Sequence, residues 1–259
     1  MAKHSKELTR NDALLQYTLH LADSSLIMGH RLSELAAHGP TLEQDIAVSN
    51  IALDLIGQSR NFYQYAAQIA GNGATEDTLA YFRNAEQFKN LLLTEQPNGD
   101  WAHTTLKVFF LSTFQFLLYQ KLMSSADTQL AAIAEKSLKE VTYHLRWSSE
   151  WILRLGDGTD ESHTRMQKAI NELYRYTGEM FELQDYERIL LTESISIDPD
   201  PIHLEWNTKV QDIIIEATLS LPLSVKQEFG GKCGKHTKHI SLILEEMQEL
   251  QRALPGCEW

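Results

Sequence analysis

Asp23, Asp54, Glu140 and His144 are the side chains of this 259-residue chain whose types and helical positions could bind metal ions. Helical bundles hold pairs of iron ions with one carboxylate from each of two helices and a Glu-x-x-His pair from each of the other two. The three-residue spacing places carboxylate and imidazole one turn apart on the same helix face. The chemistry in question is therefore that of a redox-active di-iron centre.

Both candidate ligand pairs are incomplete. Gly57 stands three residues after Asp54, where a histidine is required, and Val141 stands three residues before His144, where a carboxylate is required. The stretch 101–126, which is predicted to form the third long helix, contains no acidic residue. Two divalent ions about 4 Å apart need several anionic oxygens to offset their repulsion. The pattern therefore predicts that the four residues are remnants of a degenerate site and that the chain binds no metal.

Two interpretations of these polar side chains stay open. In the structural interpretation Glu140 and His144, four residues apart, form a hydrogen-bonded pair inside the bundle, and Asp54 pairs with Arg60 or His30. In the functional interpretation they form a single weakly held metal site or a water-filled polar pocket. The sequence does not separate the two.

Long segments with the helical period must position these residues. The first helix is predicted over about residues 6–37. The second is predicted to start at Thr41, whose hydroxyl is expected to form a capping box with Gln44, and to end at Gly71. The predicted inward residues are Leu15, Leu19, Ile27 and Leu35 in the first helix and Ile46, Leu53 and Tyr63 in the second.

A long crossover over residues 74–99 separates this pair from two more long helices, which Asp100 and Asp127 are predicted to cap. Two helices, a long connection and two helices is the order of a ferritin-like four-helix bundle. We therefore predict an all-α fold in one domain, with the bundle over about 14–156 and a C-terminal helical extension over about 159–259. Its additional helices are expected at about 161–183, 186–192, 202–220 and 236–253.

The predicted third helix is apolar almost all round, and its aromatic residues occupy more than one stripe: Trp101, Phe109, Phe110, Phe114, Phe116 and Tyr119. Such a helix is buried on most sides, either within its own chain or against another. The sequence favours a permanent partner.

The segment GGKCGKHTKH at 230–239 could present Lys232, Lys235 and His236 to a phosphate at a helix N-terminus. It lacks the GxxxxGK[ST] spacing of a phosphate loop. We favour the interpretation of a glycine turn followed by a solvated basic face.

Composition excludes several classes of function. The formal net charge of -12 disfavours nucleic acid and anionic membrane surfaces as partners. The sequence shows no transmembrane segment and no signal peptide, which predicts a cytoplasmic protein. Two cysteines, Cys233 and Cys257, form neither a disulfide framework nor a CxxC metal site.

Several stretches carry a family resemblance, among them DIAVSNIALDLIGQSRNFYQYAAQIAG, NLLLTEQPNGDWA, KSLKEVTYHLRWSSEWILRLGDGT and GGKCGKHTKHISLILEEMQELQRALPGCEW. In these motifs the chain resembles the PaaC-type subunits of bacterial phenylacetyl-CoA epoxidases, a family of ferritin-like multicomponent oxygenases. The resemblance extends from about residue 14 to residue 259, so residues 1–13 are interpreted as a variable tail.

The resemblance implies a structural subunit without catalytic residues or a cofactor of its own. In such a complex the related PaaA subunit holds the di-iron centre and the substrate pocket, and a reductase subunit delivers electrons from NADPH. The product is a ring-epoxidised CoA thioester in phenylacetate catabolism. The alternative from the residues alone is a free-standing ferritin-like metalloenzyme with a degenerate metal site.

Overall fold

The structure is a computed structural model that describes residues 8–257, and this part of the chain contains helices and turns but no strand. The predicted all-α, ferritin-like fold is confirmed. The helices in chain order are α1 (Arg10–Ser33), α2 (Leu42–Ala70), α3 (Glu76–Tyr81), α4 (Leu92–Glu95), α5 (Trp101–Leu122), α6 (Thr128–Gly156), α7 (Asp160–Leu173), α8 (Asp185–Leu191), α9 (Pro199–Glu216) and α10 (His239–Ala253). The bundle consists of α1, α2, α5 and α6.

The start of α1 is defined by a capping box between Thr9 and Asp12, in which the Thr9 hydroxyl accepts from the Asp12 backbone N–H at 3.1 Å. Residues 1–7 of the predicted tail lie outside the described residues, whereas Arg10 already belongs to α1. The helix ends at Ser33, four residues before its predicted end at residue 37.

The capping box predicted at the start of α2 is wrong, because the Thr41 hydroxyl makes no capping hydrogen bond. The Gln44 side chain turns instead to α6, where its Oε1 accepts from the indole N–H of Trp147 at 3.1 Å and of Trp151 at 2.8 Å. The Trp101 ring lies edge-on to both indoles, with centroids 5.8 and 5.6 Å away. Gln44 therefore joins two bundle helices.

The inward face of α2 differs from the prediction at two positions. Ile46 and Leu53 are 51% and 66% exposed, so their assignment to the core is wrong. The helix carries apolar residues on two adjacent faces, and packing against α1 buries only one of them. The buried members are Val48, Ile51, Ala52, Leu55, Phe62 and Tyr63. The inward residues predicted for the first helix are buried or partly buried against the core.

The crossover at residues 74–99 contains α3, a 3₁₀ turn at Ala85–Gln87 and α4. The caps predicted after it are present. The Asp100 carboxylate accepts from the His103 backbone N–H at 3.1 Å, and the Asp127 carboxylate accepts from Leu130 N–H at 2.9 Å.

The chain itself covers α5 on nearly all sides. The helices α6, α7 and α9 pack around it. Trp206 of α9 is 1% exposed, its ring centroid lies 5.5 Å from that of Phe110, and its indole N–H donates to the Phe110 carbonyl at 3.1 Å. The expectation that a partner chain covers this helix is therefore wrong.

The extension is more broken than predicted. The helix expected over 161–183 ends at Leu173 and continues as 3₁₀ turns at Tyr174–Tyr176 and Gly178–Phe181. The last helix, α10, packs through a small separate cluster of Ile27, Phe88, Ile240, Ile243 and Leu244. Among the described residues, no helix is long and apolar enough to cross a membrane.

Candidate functional site

The four bundle helices meet around a cavity of only about 10 Å³. Its lining comes from all four: Met28, Ile51, Leu55, Val108, Leu111, Ser112, Gln115 and His144. A single water needs about 10–15 Å³ of such volume. The bundle axis at this level is therefore packed by side chains and leaves room for one water at most.

His144 and Asp54 form a hydrogen bond between α6 and α2. The imidazole is 1% exposed, and its Nε2–H donates to Oδ2 of Asp54 at 3.0 Å. The Asp54 carboxylate lies nearer the surface, with 36% of its side chain exposed. The pair anchors a buried ring to a half-exposed carboxylate.

Glu140 does not contact His144, so the predicted pair of these two residues is wrong. The Glu140 carboxylate accepts from the Gln58 side-chain amide at 2.9 Å. The partners predicted for Asp54 are also wrong. Arg60 donates to Glu76 at 3.3 Å, and the buried Nε2 of His30 has no partner among the described residues.

Asp23 lies on the opposite side of the bundle, completely buried in α1. Its Oδ1 accepts from the Tyr63 hydroxyl and from the Arg83 guanidinium. Its Oδ2 accepts from Arg83 at 3.1 Å and from the Lys89 backbone N–H at 2.7 Å. These bonds tie α1 and α2 to the crossover and leave little free acceptor capacity on the carboxylate.

The Arg83 side chain is fixed on several sides. It also donates to the Gln87 carbonyl at 2.9 Å, and its guanidinium carbon lies 4.2 Å from the centroid of the Phe88 ring. Burial lowers the pKa of Arg83, but the charge of Asp23 and the hydrogen bonds outweigh burial and raise that pKa above its ordinary value. The guanidinium is therefore the permanent counterion of Asp23.

The geometry does not fit a di-iron centre. The four predicted remnants fall into three separate sites, namely Asp23 with the crossover, Asp54 with His144, and Glu140 with Gln58. Within residues 8–257 no group of three or more His, Cys, Asp or Glu side chains is arranged to hold a metal ion. Bridging of two metal ions requires several anionic oxygens at one place. The structure does not bring them together.

The basic segment after residue 230 is not a solvated face, and that interpretation is wrong for two residues. Lys232 is 1% exposed, and its Nζ donates to Glu187 at 2.8 Å. The ring of His236 lies between Glu95 and the Phe88 carbonyl, with its two nitrogens 2.9 and 3.0 Å from these acceptors. Internal acceptors therefore occupy both cations, and neither is free for a phosphate.

Comparison with known proteins decides the family. The sequence profile PaaA_PaaC, described as phenylacetic acid catabolic protein, matches residues 1–259. The chain belongs to this family. It is also 48% identical over 246 residues to one of the subunits of 1,2-phenylacetyl-CoA epoxidase, the one designated C, from Escherichia coli (strain K12). That alignment spans 95% of this chain and 99% of the relative. The resemblance found in the sequence motifs is thereby confirmed.

Within this phenylacetic acid catabolic protein, sequence reasoning missed Arg83. A buried carboxylate needs a cation, and the crossover at 74–99 contains only Arg83 and Lys89 as basic residues. Both contact Asp23, Arg83 through its side chain and Lys89 through its backbone. That compositional signal could have identified the pair.

Proposed function

We propose that this chain is a non-catalytic structural subunit of a cytoplasmic multicomponent di-iron monooxygenase, which epoxidises the ring of phenylacetyl-CoA in phenylacetate degradation. It supports a catalytic subunit of the PaaA type, which holds the di-iron centre and the substrate. A reductase subunit supplies that centre with electrons from NADPH. The chain itself contributes neither a catalytic residue nor a cofactor.

The observation that carries the proposal is the engagement of each candidate ligand by a protein group. Asp23 holds the Arg83 guanidinium, Asp54 holds the imidazole of His144, and Glu140 holds an amide. Release of Asp23 for a metal would leave a buried guanidinium without its counterion, which is strongly destabilising. Relatedness to a protein named as one subunit of an epoxidase supports the assembly role.

The test is to purify the chain alone, the catalytic subunit alone and the two expressed together. Iron is measured in each, and single-turnover epoxidation of phenylacetyl-CoA is measured with the reductase. We expect no stoichiometric iron in this chain, and a catalytic subunit that loses solubility or iron without it. Two irons per chain, or a catalytic subunit that is soluble, iron-loaded and equally active alone, would contradict the proposal and favour the metalloenzyme alternative.

A further inference from the structure

An apolar row lies exposed along the outer side of α2. The row comprises Leu42, Ile46, Leu53 and Ile56, with 72, 51, 66 and 36% of their surfaces exposed. Their spacings of four, seven and three residues place them on one helix face. The only charged residue between Ile46 and Ile56 is Asp54, whose carboxylate already accepts from His144. We call these four residues the α2 row.

Gly57 follows Leu53 by one turn on the same side of α2 and is exposed. A Cβ built at Gly57 would meet no atom within 4 Å, so packing within the described chain does not require glycine here. Glycine in a helix interior is less favourable than alanine, and it allows another backbone to approach closely. A glycine on an exposed apolar face therefore fits an intermolecular contact.

A cavity of about 240 Å³ adjoins the Ile56 end of the α2 row, between α2 and α3. Ser59 and Tyr63 line it from α2 and Tyr81 lines it from α3. Ser59 is 1% exposed, and its hydroxyl has no hydrogen-bond partner among residues 8–257. Buried hydroxyls normally have partners, and a polar side chain entering the cavity from another protein would provide one.

The charges at both ends of the row are mainly acidic. Glu43 and Asp45 flank its start, and Glu76 and Asp77 line the cavity at its end, with Arg60 as the base beside them. A second copy of this chain, with its own formal charge of -12, would place acidic groups against acidic groups. Charge complementarity therefore favours a different chain with basic residues at the rim.

We propose that the α2 row, Gly57 and the adjoining cavity form the docking surface for the catalytic subunit. The occupant presents a helix with an apolar face flanked by lysine or arginine, and one of its side chains enters the cavity beside Ser59. This inference rests on the assembly role proposed above, and it identifies the face that performs it.

The first test compares Leu53→Glu with Leu204→Glu, a matched control on α9 whose leucine is 72% exposed. Both side chains are exposed in the isolated chain, so both variants are expected to keep the wild-type melting temperature. The dissociation constant for the purified catalytic subunit is then measured by calorimetry. We expect Leu53→Glu to weaken binding by at least about 30-fold, as for a central interface residue, and Leu204→Glu to bind like the wild type.

The second test is Gly57→Ala, for which two effects of opposite sign are expected. The isolated chain gains thermal stability, because alanine favours the helix, whereas binding to the catalytic subunit weakens because the added methyl keeps the two backbones apart. Normal binding of both Leu53→Glu and Gly57→Ala overturns the docking surface while leaving the assembly role intact. Failure of the wild-type chain to bind the catalytic subunit refutes the assembly role itself. A homodimer that Leu53→Glu dissociates overturns the choice of occupant.

Discussion

The Nε2–H of His144 donates to Oδ2 of Asp54 at 3.0 Å, so two residues that each look like half of a metal-ligand pair are partners of each other. Further polar contacts run along the same pair of antiparallel helices, from Gln44 with the two indoles of α6, through Gln58 with Glu140, to Tyr65 with Asp127. The seam between α2 and α6 is therefore held by side-chain hydrogen bonds along its length.

Removal of the His144 ring should destabilise the fold without affecting chemistry. His144→Ala deletes a buried ring and its bond to Asp54, and we expect a loss of about 1–3 kcal/mol in the free energy of unfolding. Asp54→Asn keeps an acceptor oxygen near the ring and should have a smaller effect. Urea denaturation measures both. A His144→Ala chain that unfolds like the wild type but gives an inactive complex would show a functional role instead.

Loss of the Asp23 charge should have a larger effect. Asp23→Asn leaves the Arg83 guanidinium buried without its counterion, which typically costs about 3–5 kcal/mol. Lys121→Ala serves as the control, because Lys121 pairs with Glu205 at 2.9 Å on the surface, and such pairs contribute within about 1 kcal/mol. The double variant Asp23→Leu with Arg83→Met should recover part of the loss. Equal stability of Asp23→Asn and the wild type would contradict the assigned role of the pair.

His20 should make the protein sensitive to acid. Burial lowers the pKa of His20 from 6.5 to about 3, with the positive charge of Lys232 adding to this effect and the bond to the Lys89 carbonyl opposing it. The unfolded chain therefore binds a proton that the folded chain excludes. Stability from this group is full above pH 6.5 and declines as pH falls toward 3, by up to about 1.4 kcal/mol per pH unit.

The check is urea denaturation between pH 7.5 and 4.5. His20→Gln should show a flatter decline than the wild type over this range, whereas His38→Gln, which replaces an exposed histidine, should keep the wild-type slope. An unchanged slope in His20→Gln would mean that other groups account for the acid sensitivity.

Val141→Glu should not rebuild an iron site. Val141 is completely buried, so the new carboxylate would lie in the core without a partner and destabilise the chain. The second Glu-x-x-His pair would still lack its histidine at Gly57, and α5 contains no acidic residue to supply another ligand. Iron analysis after anaerobic reconstitution should give the same content as for the wild type. Stoichiometric iron in this variant would show that the other ligands are still positioned for metal.

The sequence was sufficient for features that depend on neighbouring residues. The caps at Asp100 and Asp127 were predicted correctly because a side chain that bonds the next turn needs no tertiary information. At Thr41 and Gln44 the same local reasoning failed, since two indoles from α6 compete for the Gln44 oxygen.

Contacts between helices were the harder part. Glu140 and His144 are close on one helix, and their pairing was the natural local expectation. The rotation of α6 relative to α2 instead directs each toward a different residue of α2. Helical periodicity leaves that rotation undetermined, and it also left open which of the two apolar faces of α2 lies inward.

The burial of α5 by α7 and α9 has a consequence for synthesis on the ribosome. When Gly156 is added, the four bundle helices exist but the helices that cover α5 do not. At about 5–20 residues per second, the roughly 60 residues up to Glu216 take on the order of 3–12 seconds to translate. During that interval an aromatic helix faces the solvent, so the nascent chain is a natural client for chaperones, and a chain truncated after the bundle should aggregate.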